Sequence, residues 1–140
     1  MNKIGCILLL VIVVLTGCNR SSSSLEEVHF NHLNKEVRAF VDQFKDRNGI
    51  FLYSRVGEDE YFIVNYATIQ QGEPAKFLKD IHAEIRGQVF TIIMNEQDTS
   101  DLQDQRLKKF SIYKLNKNHK IDSIQVIKNG KEIPIDIVGS

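Results

Sequence analysis

Residues 124–137 read IQVIKNGKEIPIDI and carry the clearest folding signal in the chain. Apolar runs rich in isoleucine stand on both sides of Asn129-Gly130. This pair is typical of a β-hairpin, because both central positions of its tight turn require a positive φ. Pro134 has no backbone N–H to donate to a neighbouring strand, so we expect the last strand at a sheet edge. The end of the chain therefore predicts a β-hairpin.

Short runs of β-branched and aromatic residues continue this strand pattern towards the N-terminus. The predicted strands cover residues 50–55, 61–68, 81–86, 89–94 and 107–115. The run 61–68 is almost entirely apolar, which predicts a central strand covered on both faces. Residues 81–86 alternate between apolar and polar, which predicts one buried and one exposed face. Gly87-Gln88 fits a tight type II′ turn, whereas the polar residues 95–106 predict an exposed loop.

A helical period precedes these strands. Apolar residues recur at spacings of three and four, as on one stripe of a helix: Phe30, Leu33, Val37, Phe40, Val41 and Phe44. We predict a helix from Leu25 to Arg47, with Ser24 and Glu27 as a capping box and Gly49 in the stop signal. An alternative is a helix lying on the membrane surface, but the polar face mixes acidic and basic residues instead of being mainly basic.

These elements together predict an α+β fold. One N-terminal amphipathic helix would pack on an antiparallel sheet, or on a small sandwich, of about six or seven strands. Residues 25–140 are expected to form a single domain. The segments 77–96 and 111–137 also loosely resemble small envelope domains of Gram-positive lipoproteins of unassigned role, a likeness of strand rhythm only.

The N-terminus has the pattern of a targeting signal. Lys3 precedes an apolar run from Ile4 to Leu15, and the small residues Thr16-Gly17 stand directly before Cys18. The stretch 15–18 resembles a bacterial lipobox. The resemblance implies that residues 1–17 are a signal peptide, that cleavage falls between Gly17 and Cys18, and that the Cys18 sulfur carries a diacylglyceryl group. A retained transmembrane anchor fits less well, because the apolar run is about a dozen residues long and spanning takes roughly 20.

A lipidated Cys18 determines the expected location. Residues 18–24 are polar after the cysteine and predict a flexible tether. Two or three acyl chains would hold the protein stably at the membrane. We therefore expect a lipid-anchored protein on the extracytoplasmic face of the cell membrane, with the membrane as its first partner.

Composition narrows the function classes. Only Lys3 of the 18 basic residues precedes Cys18, which leaves 17 basic against 18 acidic residues in the mature chain and a formal charge of −1. This near-neutral balance disfavours a nucleic-acid partner. The only cysteines are Cys6, which leaves with the signal peptide, and Cys18, which lipid would consume. The mature domain therefore offers no thiol for a disulfide, a metal or nucleophilic catalysis.

The histidines are the first candidates for chemistry, because they titrate near neutral pH. His29 and His32, with Glu36 one turn further, have a spacing that can hold a metal on a helix. Their neighbours look like a solvated helix face, so we predict no metal site and no cofactor. His82 and His119 are predicted to be surface residues.

Other sequence motifs for catalysis or metal binding are absent or lack the required spacing. The sequence has no Gly-x-Ser-x-Gly elbow, no His-Glu-x-x-His pair and no glycine-rich phosphate loop. The acidic groups at 58–60 and at Asp98, Asp101 and Asp104 lack the spacing of a calcium loop and predict solvated loops. Four tyrosines can line a groove but are expected to serve packing: Tyr53, Tyr61, Tyr66 and Tyr113.

Two function classes remain. The preferred one is a non-enzymatic envelope module that binds a protein or a cell-wall component, for example through an exposed strand edge. The other is an enzyme or small-ligand carrier whose site is assembled from residues far apart in sequence. A pocket with converging titratable groups would favour the second class, whereas a flat apolar patch or a free edge would favour the first.

Overall fold

The computed structural model describes residues 24–118 and 120–140. The described residues form nine strands, one α-helix and one 3₁₀ turn. The strands are β1 (Leu25–Glu27), β2 (Gly49–Tyr53), β3 (Tyr61–Asn65), β4 (Ala75–Arg86), β5 (Val89–Thr99), β6 (Phe110–Leu115), β7 (Ser123–Lys128), β8 (Lys131–Ile133) and β9 (Ile137–Gly139). The helix α1 spans Lys35–Gln43, and the 3₁₀ turn spans Phe30–His32.

The strands of the described part form two mixed sheets. The first has the order β1-β6-β3-β2-β9, and the second has the order β4-β5-β7-β8. Most neighbouring pairs are antiparallel, but β9 runs parallel to β2 and β7 runs parallel to β5. The sheets pack face to face as a sandwich, and α1 covers the other face of the first sheet. The result is three layers, in the order helix, sheet, sheet.

The first sheet separates two apolar cores. The inter-sheet core joins side chains of both sheets, among them Phe62 and Val64 from β3 and Phe90 and Ile92 from β5. The helix-side core packs Leu33, Val37, Phe40 and Val41 against Phe51, Ile63 and Ile112. Because successive residues of a strand point to opposite faces, β3 contributes to both cores and all five of its residues are buried. The prediction of a central strand covered on both faces is confirmed.

The predicted long N-terminal helix is wrong, and with it the α+β assignment. Strands hold 47% of the described residues and helices 10%. Residues 25–27 form β1, which pairs with residues 113–115 of β6, and the helix begins only after Asn34. The Asn34 side chain accepts a hydrogen bond from the Val37 N–H at 2.8 Å and caps the helix there. The apolar stripe is real over 33–41, but at its ends Phe30 lies in the 3₁₀ turn and Phe44 has left helical geometry.

The predicted all-antiparallel pairing and the loop at 95–106 are also wrong in part. The β2–β9 and β5–β7 pairs are parallel. Strand β5 continues to Thr99, because residues 95–99 pair with the beginning of β4 and extend the hairpin although they are polar. Only the rest of the segment, from Ser100, is irregular before β6.

The predicted helix signals at Ser24, Glu27 and Gly49 are wrong, because Glu27 lies in β1 and Gly49 begins β2. The two predicted hairpin turns are confirmed. Gly87 has a φ of 61° at the turn between β4 and β5. Asn129 and Gly130 have φ values of 50° and 78° between β7 and β8, as the Asn-Gly pair predicts. Pro134 follows β8 directly, and β8 and β9 each lie at the edge of a sheet. Within the part that the structure describes, neither helical segment has the length and apolar character that a membrane span requires.

Candidate functional site

The sandwich has two distinct ends. The Asn116 N–H donates to the Ser24 carbonyl at 2.9 Å, so the chain enters the described domain beside the end of β6. We call this the entry end; it also carries the 54–60 loop between β2 and β3. At the opposite end, here the distal end, β2 begins and β3 finishes.

A cleft of about 350 Å³ opens between the two sheets at the distal end. Both sheets and the β8–β9 connection line it, through Asn48, Gly49, Ile50, Tyr66, Lys76, Glu96, Lys128, Ile133, Pro134 and Asp136. These residues are far apart in sequence and meet because β2, β5 and β7 all reach this end of the sandwich. The cleft is the best candidate for a functional site.

Glu96 lies at the centre of the polar groups in this cleft. Its side chain is only 7% exposed. The Tyr66 hydroxyl donates to Oε2 at 2.7 Å, Lys128 Nζ lies 3.3 Å from Oε2, and Lys76 Nζ lies 3.1 Å from Oε1. The Glu96 backbone N–H donates to Asn129 Oδ1 at 2.8 Å, which ties the strand to the β7–β8 turn. A buried carboxylate is thus held by one hydroxyl and two ammonium groups.

The environment of the cluster lowers the pKa of Glu96 and raises the pKa values of Tyr66 and Lys76. Burial alone would raise the pKa of Glu96, but hydrogen bonds from Tyr66 and Lys76 and the charge of Lys128 lower it below its usual value. Burial and the hydrogen bond to Glu96 raise the pKa of Tyr66 far above its usual range. The hydrogen bond to Glu96 also raises the pKa of Lys76. Glu96 therefore stays ionised, and Tyr66 and Lys76 stay protonated, across the neutral range.

This arrangement suits binding better than acid–base catalysis. A general acid or base works best with a pKa near the working pH, and here all three shifts lead away from neutrality. The cluster can instead present fixed charges to a ligand or partner. Lys76 and Lys128 remain 43% and 30% exposed, and an ammonium group has three N–H donors, so both can bind a further acceptor.

The sequence does not identify Glu96 as a site residue, because the polar composition of residues 95–106 predicts an exposed loop. The signal was present in the period of the strand. Phe90, Ile92 and Met94 alternate along β5 and are completely buried. Continuing the same period of two places Glu96 on the inward face.

Exposed apolar side chains lie close to this cleft, also at the distal end. Ile69 and Leu102 are 44% and 66% exposed and line a second cleft of about 540 Å³ between the 69–75 and 99–102 segments. Contacts of Arg106 fix the loop that carries Leu102 against the second sheet. The Arg106 guanidinium lies 4.1 Å above the Phe77 ring and pairs with Asp104. These two side chains are therefore available for contact with a partner at this end.

The structure separates the residues that the sequence singled out. Cys18, Gly17 and His119 lie outside the described residues. The rings of His29 and His32 are 5.9 Å apart, but both precede α1, which carries Glu36. Within residues 24–118 and 120–140, no group of three or more His, Cys, Asp and Glu side chains can hold a metal ion. His82 is exposed on β4.

Four of the six carboxylates in the acidic clusters form ion pairs with neighbouring basic residues. Asp59 pairs with Lys114 at 2.7 Å, Glu58 pairs with Arg55 at 3.1 Å, and Glu60 pairs with Lys117. At the distal end, Arg106 Nε and Nη2 donate to Oδ1 and Oδ2 of Asp104 at 3.0 and 2.6 Å, and Asp101 Oδ1 accepts from the Gln103 N–H. The carboxylates are therefore used in ion pairs and turns.

The tyrosines divide between packing and the cleft. Tyr53 and Tyr61 lie in the helix-side core, and Tyr113 lies in the inter-sheet core. Only Tyr66 of these four reaches the distal cleft, where its hydroxyl holds Glu96. Packing is thus the main role of the other three.

Comparison of the chain with protein-family models, with curated proteins and with solved structures finds no match.

Proposed function

We propose that this protein is a lipid-anchored extracytoplasmic lipoprotein that acts as a non-enzymatic binding module for an envelope protein or a cell-wall component. The anchor is the lipidated Cys18, which follows from the lipobox-like stretch 15–18. The membrane is one partner, and the distal end of the sandwich binds the other.

The observation that carries the non-enzymatic assignment is the state of the Glu96 cluster. Titratable groups do converge in a cleft there, as an enzyme requires. However, their pKa values are shifted away from neutrality, and Glu96 is already paired with Tyr66, Lys76 and Lys128. The cluster therefore favours recognition by fixed charge over proton transfer.

The positions of the two ends support the choice of binding surface. A tether that joins the domain at Ser24 meets it at the entry end. The polar cleft and the exposed side chains of Ile69 and Leu102 lie at the opposite end. A tethered domain can thus present these groups to a partner away from the bilayer.

The anchor is tested by replacing Cys18 with alanine. The full chain and the Cys18→Ala variant would be expressed with a fatty-acid analogue and then fractionated. We expect label and membrane association in the wild type only, with the variant uncleaved or released and its domain still folded. Equal labelling of both chains would contradict a lipid on Cys18.

The binding surface is tested by in-cell photocrosslinking from matched positions. One crosslinking residue would replace Leu102 at the distal end, and another would replace Val56 in the entry-end loop, since both side chains are highly exposed. We expect a discrete adduct from position 102 and none from position 56. Adducts from position 56 alone, or equally from both, would overturn the distal assignment.

A small-ligand carrier is the second candidate, because a volume of about 350 Å³ lies in the range of small-molecule sites. Filling the cleft with Ile133→Trp distinguishes the two. The variant should abolish capture of a small molecule, whereas crosslinking from position 102 to a protein partner should persist.

A further inference from the structure

Strand β4 leaves one long sheet edge unpaired in the described structure. It is the edge strand of the second sheet, and among the described residues its ladder partner is β5. Its register with β5 is irregular between Leu78 and Asp80 and regular from Asp80 to Arg86. A bulge makes a poor template for a further strand, so only residues 80–86 offer a regular edge.

The hairpin geometry fixes which backbone groups of this edge face outward. Gly87 and Gln88 form a two-residue loop, so the flanking pair Arg86–Val89 is hydrogen-bonded across the hairpin. Pairing alternates along an antiparallel ladder. Arg86, Glu84, His82 and Asp80 therefore direct their N–H and C=O groups to β5. The intervening residues 81, 83 and 85 direct theirs outward.

The side chains of residues 80–86 are complementary to themselves. If a second copy pairs antiparallel about a two-fold axis at Ala83, then Ile81 lies opposite Ile85, and residues 81, 83 and 85 exchange backbone hydrogen bonds. On the other face, Asp80 lies opposite Arg86 and His82 lies opposite Glu84. Each charged pair occurs twice, because the axis repeats it.

Neighbouring registers lack this complementarity. A shift of two residues in one direction places Asp80 opposite Glu84, which are both acidic. A shift in the other direction places Arg86 opposite His82 and Glu84 opposite itself. Shifts of one residue would set the core-facing isoleucines against the charged face. Only the axis at Ala83 uses all seven residues and places Asp80 opposite Arg86 without setting two acidic side chains against each other.

We infer that β4 binds β4 of a second copy of this chain in this register, which joins the two four-stranded sheets into one continuous eight-stranded sheet. Ile81, Ala83 and Ile85 are partly buried against the inter-sheet core, and pairing would cover their edge as well. The inference uses neither the lipid anchor nor the distal binding surface as evidence. Because the pairing is antiparallel, the second copy's entry end lies beside the first copy's distal end, so a dimer at the membrane would direct only one distal end away from it.

Charge reversal tests the register with the full chain purified in detergent. Sedimentation equilibrium should show a concentration-dependent dimer. Asp80→Arg and Arg86→Asp should each weaken it by on the order of 10-fold, since each change turns two cross-strand attractions into repulsions. The double variant exchanges the charges and should restore dimerisation to near the wild-type level.

A matched control reverses a charge on the other edge of the same sheet. Glu132→Arg lies on β8, at an exposed position, and should leave the dimer unchanged. Thermal unfolding of each variant establishes that it is folded, and the double variant remains informative if a single reversal is unstable. A chain that stays monomeric at all concentrations would overturn the inference. So would a double variant that dimerises no better than the single ones.

Discussion

Asn65 shows how one buried side chain connects the helix to the central strand. It is completely buried at the end of β3. Its amide donates to the carbonyls of Phe44 and Arg47 at 2.6 and 2.9 Å, and its Oδ1 accepts from the Ala67 N–H at 2.8 Å. Asn65 thus ties the turn that follows α1 to the end of β3, and the Phe44 carbonyl in that turn also accepts from the Arg47 N–H at 3.0 Å.

We predict that Asn65→Asp lowers the free energy of unfolding by about 2–3 kcal/mol, because a carboxylate cannot donate to the two carbonyls. Urea denaturation at neutral pH measures this. The control is Asn118→Asp, an exposed position of the same residue type, which should change stability by less than about 0.5 kcal/mol. An equal loss in both variants would show that the cap is not the cause.

The Glu96 carboxylate makes the stability of the fold depend on pH in the acid range. Its pKa is lower in the folded state than its ordinary value, so its stabilisation is fully present above about pH 4.5 and is lost as the pH falls through the folded value. We predict that Glu96→Gln costs about 2 kcal/mol at pH 7. The variant should lose less stability than the wild type on further acidification.

Paired urea titrations at pH 7 and below pH 4 measure that difference. Glu132→Gln removes an exposed carboxylate on β8 and should follow the wild type at both pH values. Parallel pH curves for Glu96→Gln and the wild type would mean that Glu96 does not hold a lowered pKa.

At the scale of elements, the approach of α1 to the first sheet depends on Gly139. A Cβ at this position of β9 would collide with Phe40 Cε2 and lie 3.1 Å from Phe40 Cδ2. We predict that Gly139→Ala destabilises the protein by about 1–3 kcal/mol through overpacking. In the Gly139→Ala background, the smaller side chain of Phe40→Leu should recover part of that loss. Strictly additive effects of the two changes in a double-mutant cycle would contradict this contact.

The elements that could be predicted from sequence are those determined by residues close to them in the chain. The Asn129-Gly130 hairpin and the fully apolar β3 follow from turn chemistry and local pattern. The predicted helix is longer than α1 because the apolar period continues to Phe30 and Phe44. Nothing local shows that residues 25–27 find their hydrogen-bond partners in β6, about 90 residues away.

The candidate site was beyond the reach of sequence patterns for the same reason. Glu96 meets Tyr66, Lys76 and Lys128 only after two sheets have packed and β5 and β7 have paired in parallel. The period of β5 predicts that Glu96 points inward, but no spacing in the chain identifies its partners. The cleft is a product of tertiary packing.

At the scale of the whole molecule, the proposal places the two ends of the sandwich in different surroundings. In that proposal the entry end, where Ser24 contacts Asn116, would face the membrane. The distal end, with the Glu96 cluster and the exposed Leu102, would then face away from the membrane. This orientation depends on the lipid at Cys18.

Mass spectrometry of the N-terminal peptide of the native protein tests the proposed lipid on Cys18 most directly. We predict a peptide that begins at Cys18 and carries a thioether-linked diacylglyceryl group. A peptide that still contains residues 1–17, or one with a free Cys18 thiol, would contradict the anchored binding module.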